Sequence, residues 1–238
     1  MPEKLNGCVL KPMDQCTVRI IWLYNIGKTE IVVTGGDTKK SISTDHALNV
    51  GTGYEYREEL DAEQVLEYIC STDECNSLGQ IKRLINSLTV TSHLDEIENM
   101  IKPQQPFQGA WCVRVSNTTT IECDPTIPTE LCRQCSLAVQ NDEKTTQVCA
   151  TCSTESVDNS LSYTVMFNMN DRTRSNIWQV LCQADKCNSL SNADLIHEKS
   201  AMDFDFNKFF NNGQNRFSLS IMINMVMIFI IFLNKFLY

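Results

Sequence analysis

The chain has 238 residues, 42% of them hydrophobic, and a formal net charge of −9. This length suits one large domain or two small ones. The chain is acidic, and its sequence contains no cluster of basic residues. Nucleic acid binding needs lysine or arginine side chains to replace counterions on the phosphates, so we expect no nucleic acid partner. The twelve cysteines are typical of a disulfide-bonded chain in an oxidising compartment.

The first predicted element is a β-hairpin. Residues 16–24 are rich in β-branched and aromatic side chains, residues 25–28 supply a turn with Asn and Gly, and residues 29–34 form a second strand. Residues 39–53 are polar, and we predict no regular element there. Residues 54–68 fit either a helical turn or a strand that leads towards Cys70.

The middle of the chain carries helical patterns and no cysteine. Residues 80–88 place apolar side chains at helical spacing, and a second apolar stripe lies in residues 94–101. We predict a linker over residues 79–108 with one or two short helices, the second stripe packing on the surface of the first module.

A second hairpin is predicted in the last third of the chain. Residues 161–168 have a strand pattern, residues 170–174 form a polar turn, and residues 175–181 return as a strand. The returning strand leads directly into a cysteine motif that also occurs in the first half.

This motif, Cys-x-x-Asp-x-Cys-Asn-Ser-Leu, occurs at residues 70–78 and again at residues 182–190. Four intervening residues let the two Cα atoms approach to disulfide distance, about 4.4–6.8 Å. We therefore predict two bridges, Cys70–Cys75 and Cys182–Cys187. Asn76 and Asn188 have amide side chains that can bond to the backbone of a neighbouring strand, and we predict a structural role for both.

A strand followed by this motif at the end of a module resembles the terminus of the Ly6/uPAR three-finger family, which often has an aspartate where Asp73 and Asp185 stand. Residues 131–135, Leu-Cys-Arg-Gln-Cys, partly match the motif that opens such domains. Ile69 and Leu181 stand where the family usually has a cysteine. The resemblance implies β-fingers on a disulfide-rich palm, frequent glycosylphosphatidylinositol (GPI) anchoring, and binding of an extracellular protein ligand or receptor.

On this reading the exposed finger tips are residues 24–29 and 170–174. Two further candidate bridges are Cys8–Cys16 and Cys112–Cys123, and the pairing of the eight cysteines in the second half stays open. Asn117 begins the one Asn-x-Ser/Thr sequence and is the candidate glycosylation site.

A zinc site is the alternative use of four cysteines. Two Cys-x-x-Cys pairs separated by thirteen residues are close to zinc-ribbon spacing, and four thiolates would satisfy tetrahedral zinc. The alternative is thus an intracellular, tail-anchored zinc protein that uses Cys132, Cys135, Cys149 and Cys152.

The C-terminal residues 217–238 are mostly apolar and fit two kinds of membrane attachment. A GPI signal needs small residues, a polar spacer and a hydrophobic tail, and here Asn211, Asn212 or Gly213 would carry the lipid. A transmembrane helix, which needs about 20 apolar residues, is the other interpretation. Residues 1–7 lack the apolar core of a secretory signal, so either the protein is cytosolic or its start is missing, and we favour a missing start.

No pattern in the sequence indicates catalysis or a cofactor, since His46, His93 and His197 lie in mixed or polar surroundings. We predict a mainly β, small disulfide-rich fold and no enzyme. The predicted parts are a first three-finger-like module (1–78), a helical linker (79–108), a second three-finger-like module (109–190), a stalk (191–213) and a hydrophobic tail (214–238). The predicted function is binding of a protein partner at the cell surface, on the extracellular face of the membrane.

Overall fold

The computed structural model describes residues 14–36, 46–57, 60–91, 94–118 and 123–211. The fold is mainly β, with helices after each group of strands. In chain order the elements are β1 Gln15–Leu23, β2 Lys28–Gly36, β3 His46–Tyr56, β4 Leu60–Cys70, α1 Leu78–Ser87, β5 Leu88–Val90, α2 Leu94–Ile101, β6 Val115–Ser116, β7 Gln134–Asn141, β8 Thr146–Ser153, β9 Asn159–Asn168, β10 Thr173–Cys182, α3 Leu190–Lys199, β11 Met202–Phe204 and α4 Phe206–Asn211.

Nine strands form one antiparallel sheet in the order β2-β1-β4-β3-β9-β10-β7-β8-β6. Its first half, β1–β4, and its second half, β7–β10, have the same arrangement of two hairpins. The two halves meet where β3 pairs with β9, and Gly51 lies opposite Thr164 near the middle of that pairing. The sheet is therefore continuous across the two halves of the chain.

The register makes the two halves comparable residue by residue. Cys16 of β1 lies opposite Cys70, the last residue of β4, and Cys135 of β7 lies opposite Cys182, the last residue of β10. Glu55 lies opposite Asp61 beside the β3–β4 turn of the first half. Asn168 lies opposite Thr173 beside the corresponding β9–β10 turn of the second half. We call residues equivalent when they occupy the same place in these pairings.

Helices cover one face of the sheet. Alternate strand residues on that face are buried, and their rings meet rings from the elements that follow each half. Tyr68 contacts Phe209 of α4 with ring centroids 6.1 Å apart, and Trp178 contacts His197 of α3 at 5.5 Å. The intervening residues on the other face, such as Val65 and Ile177, remain only partly buried.

The second helix of each half packs on the opposite half. Helix α2 follows the first half but contacts α3, β9 and β10, and Asn159 of β9 donates to the Ile101 carbonyl at 2.7 Å. Helix α4 follows the second half but contacts α1, and it also touches its own half where Phe206 meets Phe167 of β9 with ring centroids 6.1 Å apart. Strand β5 lies between α1 and α2 in the sequence and β11 lies between α3 and α4, and these two short strands pair with each other. This exchange joins the two halves through their helices as well as through the sheet.

The structure confirms both predicted hairpins and the helical segments at 80–88 and 94–101. Two expectations were wrong. Residues 46–53 are not irregular but belong to β3, whose alternate side chains are buried under the helices. The α2 stripe packs on the second half instead of the first module, because Ile97 and Ile101 are buried beside β9 and β10.

The region predicted as a stalk is folded as far as Asn211. Residues 190–204 form α3 and β11, and Ile196, Phe204 and Phe209 are buried. Residues 212–238, with the predicted spacer and hydrophobic tail, lie outside the described part of the chain. Among the described residues, no helix has the length and apolar character to cross a bilayer.

Candidate functional site

Five disulfides lie within the described residues. The two that the repeat predicts, Cys70–Cys75 and Cys182–Cys187, both form, with Cα atoms 6.1 and 6.2 Å apart. The other three join the segments that precede β7 to β7 or β8: Cys112–Cys135, Cys123–Cys149 and Cys132–Cys152. The predicted Cys112–Cys123 bridge is therefore wrong, because β7 and β8 carry the actual partners of both cysteines.

The same bridges contradict the zinc alternative. Cys132, Cys135, Cys149 and Cys152 each bond to a cysteine through sulfur, in three separate disulfides, so none keeps a thiolate for a metal. Within the described ranges, no group of three or more His, Cys, Asp and Glu side chains is arranged to hold a metal ion.

Cys16 has no disulfide partner among the described cysteines. It is equivalent to Cys135, which forms a disulfide with Cys112, a residue of the segment between α2 and β6. Cys8, which precedes β1 in the sequence, lies outside the described residues. We predict that peptide mapping of the unreduced protein by mass spectrometry yields a Cys8–Cys16 cross-linked peptide. An alkylatable Cys16 thiol in denatured, unreduced protein would contradict this pairing.

The cysteine and the serine of the repeated Cys-Asn-Ser-Leu sequence have structural tasks in both copies. The cysteine closes the loop, and the residue before it, Glu74 or Lys186, has a positive φ of 55° or 51°. The serine caps the following helix, since Ser77 accepts a hydrogen bond from the Gln80 backbone N–H and Ser189 from that of Asn192. Sequence reasoning missed this cap, which the Ser-Leu start of both helices could have indicated.

Asn188 joins the second loop to three chain segments. The residue is fully buried, and its Oδ1 accepts a hydrogen bond from the Val113 N–H at 2.8 Å. Its Nδ2 lies 2.9–3.0 Å from the carbonyl oxygens of Val113, Ser136 and Thr151, which share its two hydrogens. The predicted structural role of this asparagine is thus confirmed. Asn76 occupies the same place after the first bridge and is partly buried.

Two cavities lie on the partly buried face of the sheet, at opposite ends of the β3–β9 pairing. The first has a volume of about 530 Å³ and the second about 610 Å³. Gly53, Ser160 and Ser162 contribute to the first, and Ala47, Asn49 and Met166 to the second. Because Gly53, Ser160 and Ser162 have small side chains or none, the strands leave room above their backbone at the first cavity.

The two cavities are equivalent in construction. Each combines the turn of the first hairpin in one half, the strand residues that flank the turn of the second hairpin in that half, and the start of the second hairpin in the opposite half. The first takes Leu23, Asn25 and Ile26 from the β1–β2 turn, and the second takes residues 142–145 from the β7–β8 turn. Neither cavity is complete without both halves of the chain.

The electrostatics of the two cavities differ. The lining of the first includes Glu55, Asp61 and Glu63 and, among the described residues, no lysine, arginine or histidine, although Arg57 pairs with Glu55 from outside the lining. The second is lined by two acidic residues, Asp142 and Glu143, and two basic ones, Lys144 and Arg174. In the β7–β8 turn, which lines the second cavity, the backbone N–H groups of Lys144 and Thr145 donate hydrogen bonds to Asp142 and lower the pKa of that carboxyl group. The turn is therefore held by its own hydrogen bonds.

The predicted finger tips adjoin these cavities. Tyr24 and Ile26 are exposed to 48% and 67%, although burial of its hydroxyl raises the pKa of Tyr24, and that hydroxyl donates to Gln64 at 2.6 Å. At the other tip, Arg174 lines the second cavity but directs its guanidinium to Asp203 and Asn176. The cavities, which lie beside the tips, were not predicted.

The other candidate residues do not gather at a common site. His46 bonds to the Tyr68 hydroxyl at 2.6 Å, and His197 packs on Tyr163 and Trp178, whereas His93 lies outside the described residues. Asn117 bonds to the edge of β8: its Nδ2 donates to the Thr146 carbonyl and its Oδ1 accepts from the Val148 N–H. Of the proposed lipid-attachment residues, Asn211 ends α4, and Asn212 and Gly213 are outside the described part.

Comparison of the chain with family models, with curated proteins and with solved structures finds no match.

Proposed function

We propose that this protein is a membrane-tethered extracellular binding protein of Ly6/uPAR type, built from two three-finger-like modules, that engages a protein ligand or receptor. We place the contact surface on the open face of the sheet, which we define as the face opposite the helices. The observation that carries this proposal is the division of the sheet into one face covered by helices and one face with two cavities, each beside a predicted finger tip.

The disulfides support an extracellular location. Ten cysteines are paired in the described residues, and such bridges persist in oxidising compartments. Three of them tie the segments that precede β7 to the β7–β8 hairpin, so these segments keep a fixed position on that hairpin. A fixed surface binds with a smaller loss of conformational entropy than a mobile one.

The position of α4 supports an orientation in which the open face of the sheet points away from the membrane. This helix lies on the helix-covered side, where Phe209 contacts Tyr68, and the apolar tail follows it in the sequence. A molecule tethered through residues after α4 would present its open face away from the membrane. The GPI anchor remains our preferred attachment, with a transmembrane helix as the alternative.

Surface labelling tests the location and the tether. We expect full-length protein, expressed through the secretory pathway, to be labelled on intact cells by an impermeant biotin reagent. A phosphatidylinositol-specific phospholipase should release it from those cells. Protein that is labelled but not released would replace the lipid anchor with a spanning helix, and protein that is never labelled would overturn the proposal.

Added glycans test the contact surface. Arg19→Asn combined with Ile21→Thr creates an Asn-x-Thr acceptor on the open face of β1, where Arg19 is exposed. Glu198→Asn, with the existing Ser200, creates a matched acceptor on helix α3. We expect the first glycan to abolish staining of a cell panel by the labelled, released protein and the second to leave it unchanged. The reverse result would place the contact surface on the helices.

A further inference from the structure

The two cavities share one scaffold but differ at the same three positions. The register makes the acidic residues of the first cavity equivalent to neutral residues of the second. The pairs are Glu55 and Asn168, Asp61 and Thr173, and Glu63 and Ser175. Since the second half folds with neutral side chains at these positions, the strands and their pairing do not require the carboxylates.

The rim of the first cavity is also more apolar. Leu23 and Ile26 stand in the β1–β2 turn, where the equivalent turn of the second half has Asp142 and Thr145. Ile26 is 67% exposed, so its apolar surface remains in water unless a ligand covers it. An apolar rim next to carboxylates suits a ligand with an aliphatic part and a cationic end.

The three carboxylates are not equally free to bind such a ligand. Glu55 is paired with Arg57, whose Nη2 lies 3.1 Å from Oε1, and Asp61 accepts a hydrogen bond from the Asn25 amide. Glu63 is exposed and has no hydrogen-bond or ion-pair partner among the described residues. Its Cγ lies beside Gly53, within 3.4 Å of where a methyl group would project from that residue. Glu63 thus stands at the cavity with its charge unpaired.

On the basis of the proposed function, we propose that the first cavity receives a lysine or arginine side chain of the partner protein. The aliphatic stem of that side chain lies on Leu23 and Ile26, and its cationic head meets Glu63 and Asp61. A hydrogen bond between charged groups is stronger than one between neutral groups. The small residues Gly53, Ser160 and Ser162 leave the depth that a long side chain needs. A partner with a basic segment also suits a protein with a net charge of −9.

Exchange of residues between the two cavities tests this assignment. The probe is a fluorescein-labelled peptide, Gly-Ser-Arg-Ser-Arg-Ser-Gly, titrated against full-length protein in a neutral detergent with fluorescence polarisation as the readout. The variant carries Glu55→Asn, Asp61→Thr and Glu63→Ser, the residues that the second cavity already tolerates. We expect it to bind about ten-fold more weakly than the original protein, and the peptide with Gln for Arg to show the same loss.

The second cavity provides a control, in which two charges are removed instead of three, and a gain-of-binding variant. Asp142→Asn with Glu143→Gln removes charge from the second cavity and should change the affinity less than two-fold, about the size of a screened surface effect. Asn168→Glu, Thr173→Asp and Ser175→Glu together should add a second binding site for the peptide. Equal weakening by both sets of charge removals would reveal general attraction to an acidic protein and would overturn the assignment.

Three further outcomes bear on the assignment. An absence of peptide binding to the original protein would overturn it, whatever the added glycans do. Free arginine that binds as tightly as the peptide would show a small-molecule site and would overturn the protein side chain as occupant. If the glycan on β1 leaves cell staining intact while the peptide behaves as expected, the proposed contact surface fails and the cation site stands.

Discussion

We expect Asn188→Ala to lower the free energy of unfolding by about 3 kcal/mol or more. The substitution removes the donors for three backbone carbonyls and the acceptor for the Val113 N–H in a fully buried position. Each buried polar group left without a partner costs about 1–3 kcal/mol. Denaturant titration of the unreduced protein, with its disulfides intact, measures the loss directly.

A nearby asparagine is the control for this substitution. Asn192 donates from its side chain to the carbonyls of Lys186 and Cys187, at 3.3 and 3.1 Å, from the partly exposed start of α3. Water can replace these bonds, so Asn192→Ala should cost about 1 kcal/mol or less. Similar losses for the two variants would contradict a special role for Asn188 and assign the effect to the loop as a whole.

The sequence predicted the local elements of this fold well. The β1–β2 hairpin follows from β-branched residues around a turn with Asn25 and Gly27, and Gly27 does have a positive φ of 59°. The Cys70–Cys75 loop follows from its spacing. In both cases the information lies within a short stretch of chain, where propensity and turn geometry decide the structure.

The long-range features were not predicted because no short stretch encodes them. The apolar stripe of α2 shows that one face is buried but not which half of the sheet covers it. The spacing of Cys132 and Cys135 matches a metal site equally well, because it does not reveal that their bridging partners are Cys152 and Cys112.

The first cavity was missed for the same reason. Its acidic residues, Asp61 and Glu63, were read as part of an ambiguous segment, and Ser160 and Ser162 come from the opposite half of the chain. Only the β3–β9 pairing brings them together. The internal repeat, extended from the cysteine loop to all four strands, is the signal that could have located the equivalent positions.

The exchange of helices predicts that a substitution in α4 destabilises the first half of the sheet. Phe209 is 1% exposed, and its ring contacts those of Tyr68, Phe204 and Phe210. We expect Phe209→Ala to cost about 3–5 kcal/mol, the usual range for removing a buried aromatic ring. Lys208 is exposed on the same helix, so Lys208→Ala should change the stability by less than about 0.5 kcal/mol.

Hydrogen exchange shows where the lost stability falls. Because α4 packs on α1 and on Tyr68 of β4, Phe209→Ala should speed amide exchange in α1, β3 and β4 more than in β7 and β8. Helix α2 offers the reciprocal test. Ile101→Ala in α2 should speed amide exchange most in β9 and β10, which α2 contacts. Faster exchange confined to the half that precedes each helix would mean that the two halves keep their own helices in solution. In the exchanged arrangement, by contrast, the stability of each half of the sheet depends on a helix that follows the other half in the sequence.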